Sequence, residues 1–112
     1  MSVKGQLTAC RDFLMVGMRA AARGAVRHDA SERNIRACLD LVEQLVRVSE
    51  NVKAAEVETT LNVLNRAAAE LAADETSPPS VVSALRNAVG RLQSLKAEMS
   101  GAAGATGKPS GV

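Results

Sequence analysis

Aromatic side chains are almost absent from this chain: its 112 residues include one phenylalanine and no tyrosine or tryptophan. Sandwiches and small barrels lean on aromatic and β-branched residues, so this composition argues against an all-β fold. Histidine is equally scarce, with His28 alone, and the only cysteines are Cys10 and Cys38. That donor set is too small for a dedicated zinc or haem site, and neither metal nor cofactor is expected. There is no run of about 18 apolar residues that would span a membrane. The longest early apolar stretch, Phe13 to Met18, is too short for a secretory signal and follows Arg11 and Asp12 directly. No Asn-x-Ser/Thr acceptor occurs either. A cytoplasmic location is therefore expected, with Cys10 and Cys38 as buried free thiols rather than a disulfide. A mitochondrial presequence is the alternative reading. Residues 1–28 are rich in alanine and carry Lys4, Arg11, Arg19, Arg23 and Arg27 against Asp12 alone.

Proline and glycine are missing where they would matter most. Proline occurs only at 78, 79 and 109, and neither breaker appears between Gly24 and Pro78. What fills that stretch is Ala, Leu, Glu and Arg, the residues with the strongest helical preference. Overall, 46% of the chain is hydrophobic and 23% charged, the balance of one ordinary globular domain.

Apolar spacing divides the chain into four helices. The first is predicted over 3–27 on the seam Val3, Leu7, Cys10, Leu14, Gly17, Ala21 and Gly24, widened by Phe13, Val16 and Ala20. Its small residues Gly17, Ala21 and Ala25 stand at successive i+4 positions and allow a neighbouring backbone close. At Arg27-His28-Asp29 one helix should stop and the next begin, with Arg27 and His28 meeting the C-terminal dipole and Asp29 and Glu32 forming a capping pair. The second helix, 30–49, carries Ile35, Cys38, Leu39, Val42, Leu45 and Val46 inward. Between Val52 and Val57 the apolar phase slips, which predicts a turn near Ser49-Glu50-Asn51, with Asn51 suited to a left-handed cap. The alternative is one long helix through 30–73 and a three-helix arrangement. The third helix is expected over 52–73, inward through Val57, Leu61, Leu64, Ala68 and Leu71. Ser77 then reads as the cap of a fourth helix, 78–99, with Val81, Val82, Leu85, Val89, Leu92, Leu95 and Met99 inward and Gly101 closing it. Residues 101–112 have the composition of a flexible tail. The fold class is thus all-α: an antiparallel, up-down-up-down four-helix bundle over 1–100 with a disordered Gly/Ala-rich tail.

Motifs for chemistry are weak. Gly107-Lys108 resembles the end of a phosphate loop, but Ala102 stands where its first glycine should be and Pro109 where Ser or Thr should. His28 sits at a helix end, apart from both cysteines, and no Glu-x-x-His pair exists for a di-metal centre. No catalytic residue is assigned, and the chain is expected not to be an enzyme. Charge is unevenly spread. Residues 1–28 carry five basic and one acidic residue, 29–76 five and ten, and 77–112 four and one, within a net charge of +2. This leaves either charge complementarity between neighbouring helices or a basic patch on the first and last. Arg19, Arg23 and Arg27 form an i, i+4, i+8 row and are the candidate binding residues. The expected function is a non-catalytic helical interaction module — adaptor, chaperone-like binder or assembly subunit — whose partner is another protein, with self-association open. Binding of nucleic acid or an anionic surface through the basic row is the alternative.

Overall fold

Ser2 opens the first helix. Its hydroxyl accepts the Gly5 N–H at 3.0 Å and its carbonyl accepts from Gln6 at 3.0 Å, satisfying two of the orphan donors of a helix start. The computed structural model describes residues 2–23 and 29–104, leaving aside the side chains of Arg23 and of residues 100–104. Four helices fill them: α1 Val3–Arg23, α2 Asp29–Arg47, α3 Ala54–Ala73 and α4 Pro79–Gly104. No strand occurs among the described residues.

Each helix packs on its neighbours in chain order and α4 closes back on α1, the most intimate contact of the four. Along that contact Gln6 meets Glu98 at 2.8 Å, the Cys10 thiol meets the Ala88 carbonyl at 3.5 Å, and Gly17 faces Ala84. Residue numbers rise along α1 as they fall along α4, so these two helices are antiparallel. Gly17 also faces Ile35 of α2. A Cβ on Gly17 would stand 2.4 Å from the Ile35 Cδ1 and 2.8 Å from the Ala84 Cβ. The small-residue seam of α1 thus has a concrete purpose: two neighbouring helices converge where one side chain is missing.

The core is the set of inward stripes. Leu7, Cys10, Leu14 and Ala21 of α1, Ile35, Cys38, Val42 and Leu45 of α2, Val57, Leu61, Leu64, Ala68 and Leu71 of α3, and Val81, Leu85, Val89, Leu92 and Leu95 of α4 are buried together. Leu39, Val46, Val82 and Met99 pack against this core half-buried. Val16, expected to widen the α1 face, is instead 55% exposed, because that side of α1 looks past α4 rather than at it.

Several boundaries differ from the sequence reading. The interruption between α2 and α3 is real, so 30–73 is two helices and not one. It is not made by a left-handed Asn51, since no described residue other than glycine has positive φ. Instead α2 tightens into i→i+3 turns, Val48 to Leu45, Ser49 to Val46 and Asn51 to Val48 at 2.8 Å. α3 then starts from Lys53, whose N–H donates to the Glu56 carboxylate at 2.9 Å. Lys53 has no side-chain acceptor, so only this half of a capping box exists. α3 ends at a polar turn in which the Asp74 carboxylate accepts from both the N–H and the hydroxyl of Thr76, at 2.9 and 2.6 Å. Ser77 is not the cap of α4. Its hydroxyl is buried without a partner, and the Pro78 carbonyl takes the cap position by accepting from Val82. The helix begins one residue later than a Ser77 cap requires, at Pro79, and Pro79 has no N–H for a hydroxyl to reach. α4 also runs on through Gly101 to Gly104, five residues beyond the expected end. The Arg27-His28-Asp29 junction, with its stop and cap, falls on a stretch of which residues 24–28 lie outside the described residues, as does the tail beyond 104.

The α1–α2 register changes as well. For antiparallel α1 and α2 the Gly17–Ile35 contact sets the register, with residues whose numbers sum to about 52 at one height. Cys10 is then level with about residue 42, four residues from Cys38, a height difference of roughly 6 Å. The sequence-based geometry with its turn at His28-Asp29 implies about 13 Å.

Candidate functional site

Several shallow depressions mark the surface of the bundle, and two of them, on different helix pairs, differ in chemical character. The first lies between α2 and α3, the neighbouring pair with the sparsest contact. Ala55, Thr59 and Thr60 keep the α3 side of their shared edge short. The result is an apolar furrow of about 280 Å³ lined by Leu41, Gln44, Leu45, Ala55, Glu56, Thr59 and Thr60. A second hollow of about 340 Å³, bounded by Gln44, Leu45, Arg47, Val48 and Glu56, shares three of those residues and extends the furrow toward the α2–α3 turn. Val48 is 44% exposed there, and Val63, two turns beyond Glu56 on α3, is 37% exposed. Acidic groups dominate this half of the molecule, with ten against five basic residues in 29–76.

The second depression lies between α1 and α4 and has the opposite character. It holds about 260 Å³ between Phe13 of α1 and Arg86, Asn87, Gly90, Arg91 and Ser94 of α4. On α4 these residues form two i+4 rows, Arg86-Gly90-Ser94 and Asn87-Arg91, so they share one flank of the helix. No carboxylate lines it. A Cβ at Gly90 would find nothing within 4 Å, which marks an open gap between the guanidinium-bearing turns.

The basic row predicted from sequence is only partly placed. Arg19 is exposed on the outer face of α1, Arg23 is the last residue of α1, and Arg27 lies outside the described residues. What the packing adds is the neighbour. Because α4 lies against α1, the basic first and last helices stand side by side, and the acidic pair α2 and α3 does too. Like-signed helices are therefore adjacent on both sides, and complementary ones meet across α1–α2 and α3–α4, where Lys96 pairs with Glu58 at 3.3 Å. Spacing along one helix could not single out Arg86 and Arg91, which lie five apart. Phe13 was read as a core residue, and it does pack against the core, but half-buried and along the α4 flank.

The thiols offer no reactive centre. Cys10 and Cys38 are free and fully buried. Burial pushes the Cys10 thiol up to about 12, with the negative charge of an ionised Cys38 nearby adding to the rise. Burial likewise pushes Cys38 up to about 11, against a smaller lowering from a backbone hydrogen bond. Both are neutral thiols at pH 7, poor as nucleophiles and as metal ligands. Among the described residues no group of three or more His, Cys, Asp and Glu side chains could hold a metal ion, and no helix is long and apolar enough to cross a membrane.

No known protein family matches this chain, and comparison with curated proteins and with solved structures finds no match. A four-helix, all-α protein with an apolar furrow and a basic cleft is the class that fold and surface define.

Proposed function

We propose that this protein is a non-catalytic interaction module that takes an amphipathic helix of a partner protein into the α2–α3 furrow. The supporting observation is the furrow itself: an apolar channel floored by Leu41 and Leu45 and edged by exposed Val48, between the two neighbouring helices that touch least. Helix-in-groove recognition uses anchors at i, i+3, i+4 and i+7, and two turns of furrow accommodate two or three of them. Charge selects the occupant. Glu56 edges both hollows, and the acidic surplus of the surrounding segment favours a helix with Lys or Arg on its flanks. Free thiols fit a reducing compartment, so the cytoplasm is the proposed location.

The test compares two synthetic helices with the same Leu spacing, one flanked by Lys and one by Glu, titrated into isotopically labelled protein. The Lys-flanked helix should shift the amides of Leu41, Gln44, Val48, Glu56 and Val63, and Val48→Glu with Val63→Glu should abolish the effect without lowering the melting temperature. Absence of binding by either peptide, or shifts confined to another face, would remove the furrow from consideration. Concentration-dependent shifts at the furrow without peptide would identify a second copy of the chain as the occupant instead.

A further inference from the structure

We infer that the α1–α4 cleft is a separate binding site for a nucleotide unit, with its phosphate held by Arg86 and Arg91 and its base laid along Phe13. Three independent features converge on this. First, the polar lining consists of two guanidiniums, a carboxamide and a hydroxyl, all able to donate, with no carboxylate to compete. Guanidinium groups suit phosphate because their planar forks donate two parallel hydrogen bonds. Second, the only aromatic ring of the chain forms the opposite wall, on α1. A base can stack on it whatever its identity, and an arginine plane can cover the other face. Third, Gly90 leaves open space between the turns that carry Arg86 and Arg91, so a group can lie close to the α4 backbone there.

Size and surroundings limit the ligand. About 260 Å³ is at the small end of ligand pockets, which run from roughly 300 Å³ upward, so the site takes one nucleotide unit and not an extended stretch. That unit can come from two sources, a free mononucleotide or one position of a single strand. Neighbouring positive charge on the same half of the molecule, with Arg19 exposed on α1, would serve the flanking phosphates of a strand. Neither reading draws on the α2–α3 furrow, which lies on the other side of the bundle.

The experiment uses the full chain and three probes: inorganic phosphate, adenosine monophosphate and a single-stranded oligothymidylate of about 12 nucleotides. Binding is followed by amide shifts at residues 86–94 and 13, and by anisotropy of the labelled strand at two salt concentrations. Adenosine monophosphate should bind at this cleft more tightly than inorganic phosphate. Arg86→Gln with Arg91→Gln should weaken it at least tenfold, and Phe13→Leu should weaken it while sparing the inorganic ion. Because Arg86 is exposed and Arg91 half-buried, the double variant should keep its helix content and melting temperature. Strand binding that is lost in the same variant and weakens with salt identifies a single strand as the source; mononucleotide binding alone identifies the free ligand. Failure of both nucleotides to bind at millimolar concentration, equal affinity for inorganic phosphate, or affinity unchanged in the double arginine variant would each overturn the assignment.

Discussion

Gly17 and Gly90 both sit inside helices, yet replacing them with alanine should have opposite signs. At Gly17 the new methyl meets Ile35 and Ala84 at distances no packed structure tolerates; the Ile35 tip can rotate aside, but the Ala84 Cβ is fixed to its backbone, so α1 and α4 must separate. Gly17→Ala should cost about 1–3 kcal/mol, the usual penalty for overpacking. At Gly90 the methyl meets nothing, and alanine gains the lost helical propensity, so Gly90→Ala should stabilise by about 0.5–1 kcal/mol. Thermal denaturation of the two variants measures both. The thiols supply a third expectation at this scale. Their folded pKa values, about 12 and about 11, stand above the ordinary thiol value of 9.0. In alkali the unfolded chain therefore loses thiol protons that the folded chain keeps. The contribution to stability is complete below about pH 9 and is lost as pH rises toward 11–12. Denaturant midpoints measured from pH 8 to 11 should fall, and fall less steeply in Cys10→Ala. At pH 7.5 an aromatic disulfide reagent should label both thiols only as fast as the bundle opens; instant labelling would contradict their burial.

At the scale of elements, ends are where the sequence reading and the structure part. α3 ends where predicted because Asp74 can turn back on Thr76, a purely local arrangement. α4 does not stop at Gly101, since glycine permits a cap but does not impose one; without a left-handed turn the helix simply continues to Gly104. Met99 is the last residue whose side chain is described, and it packs against the core; beyond it the sequence carries no apolar stripe. Deleting everything after Ser100 should therefore shift the melting temperature by no more than a few degrees, as a loss under about 1 kcal/mol would do in a domain of this size. A larger drop would show that the segment beyond Ser100 packs on the bundle. Ser77 shows the converse of local legibility. Ser-Pro-Pro looks like an ideal helix start, but α4 begins at Pro79, one residue past the reach of a Ser77 cap, and the hydroxyl is left buried and unpaired.

Across the whole molecule, stability is not spread evenly. α1 and α4 share the closest contact, anchored by Gln6–Glu98, Cys10–Ala88 and the Gly17 notch, and α2 and α3 the loosest. Amide exchange should follow that order. The slowest amides are expected around Cys10 to Gly17 and Ala84 to Leu92, with the groove-side amides of α2 and α3 opening at lower cost. Uniform protection across all four helices would mean that the furrow is not a weak seam and would weaken the case for a helix entering it.

Sequence alone determined the all-α class, most of the inward stripes and the phase slip between Val52 and Val57, because apolar periodicity and breaker residues act within one or two turns of chain; that 30–73 forms two helices and not one was decided by the structure. Val57, Leu61, Leu64 and Leu71 are buried as their spacing requires. It also determined that the first and last segments are basic and the middle acidic. Only tertiary packing decided which stripes face which neighbours and therefore what is left uncovered. Val16 and Phe13 stand three residues apart on α1, yet one is open to solvent and the other forms the wall of a cleft, because α4 passes beside one and not the other. Arg86 and Arg91 come to line one cleft only once α1 packs on that side of α4, and the α2–α3 furrow lies where two neighbouring helices touch least. Local pattern reports the face that a residue shares with its own helix; contacts between helices depend on register and crossing, which are set by all the stripes together.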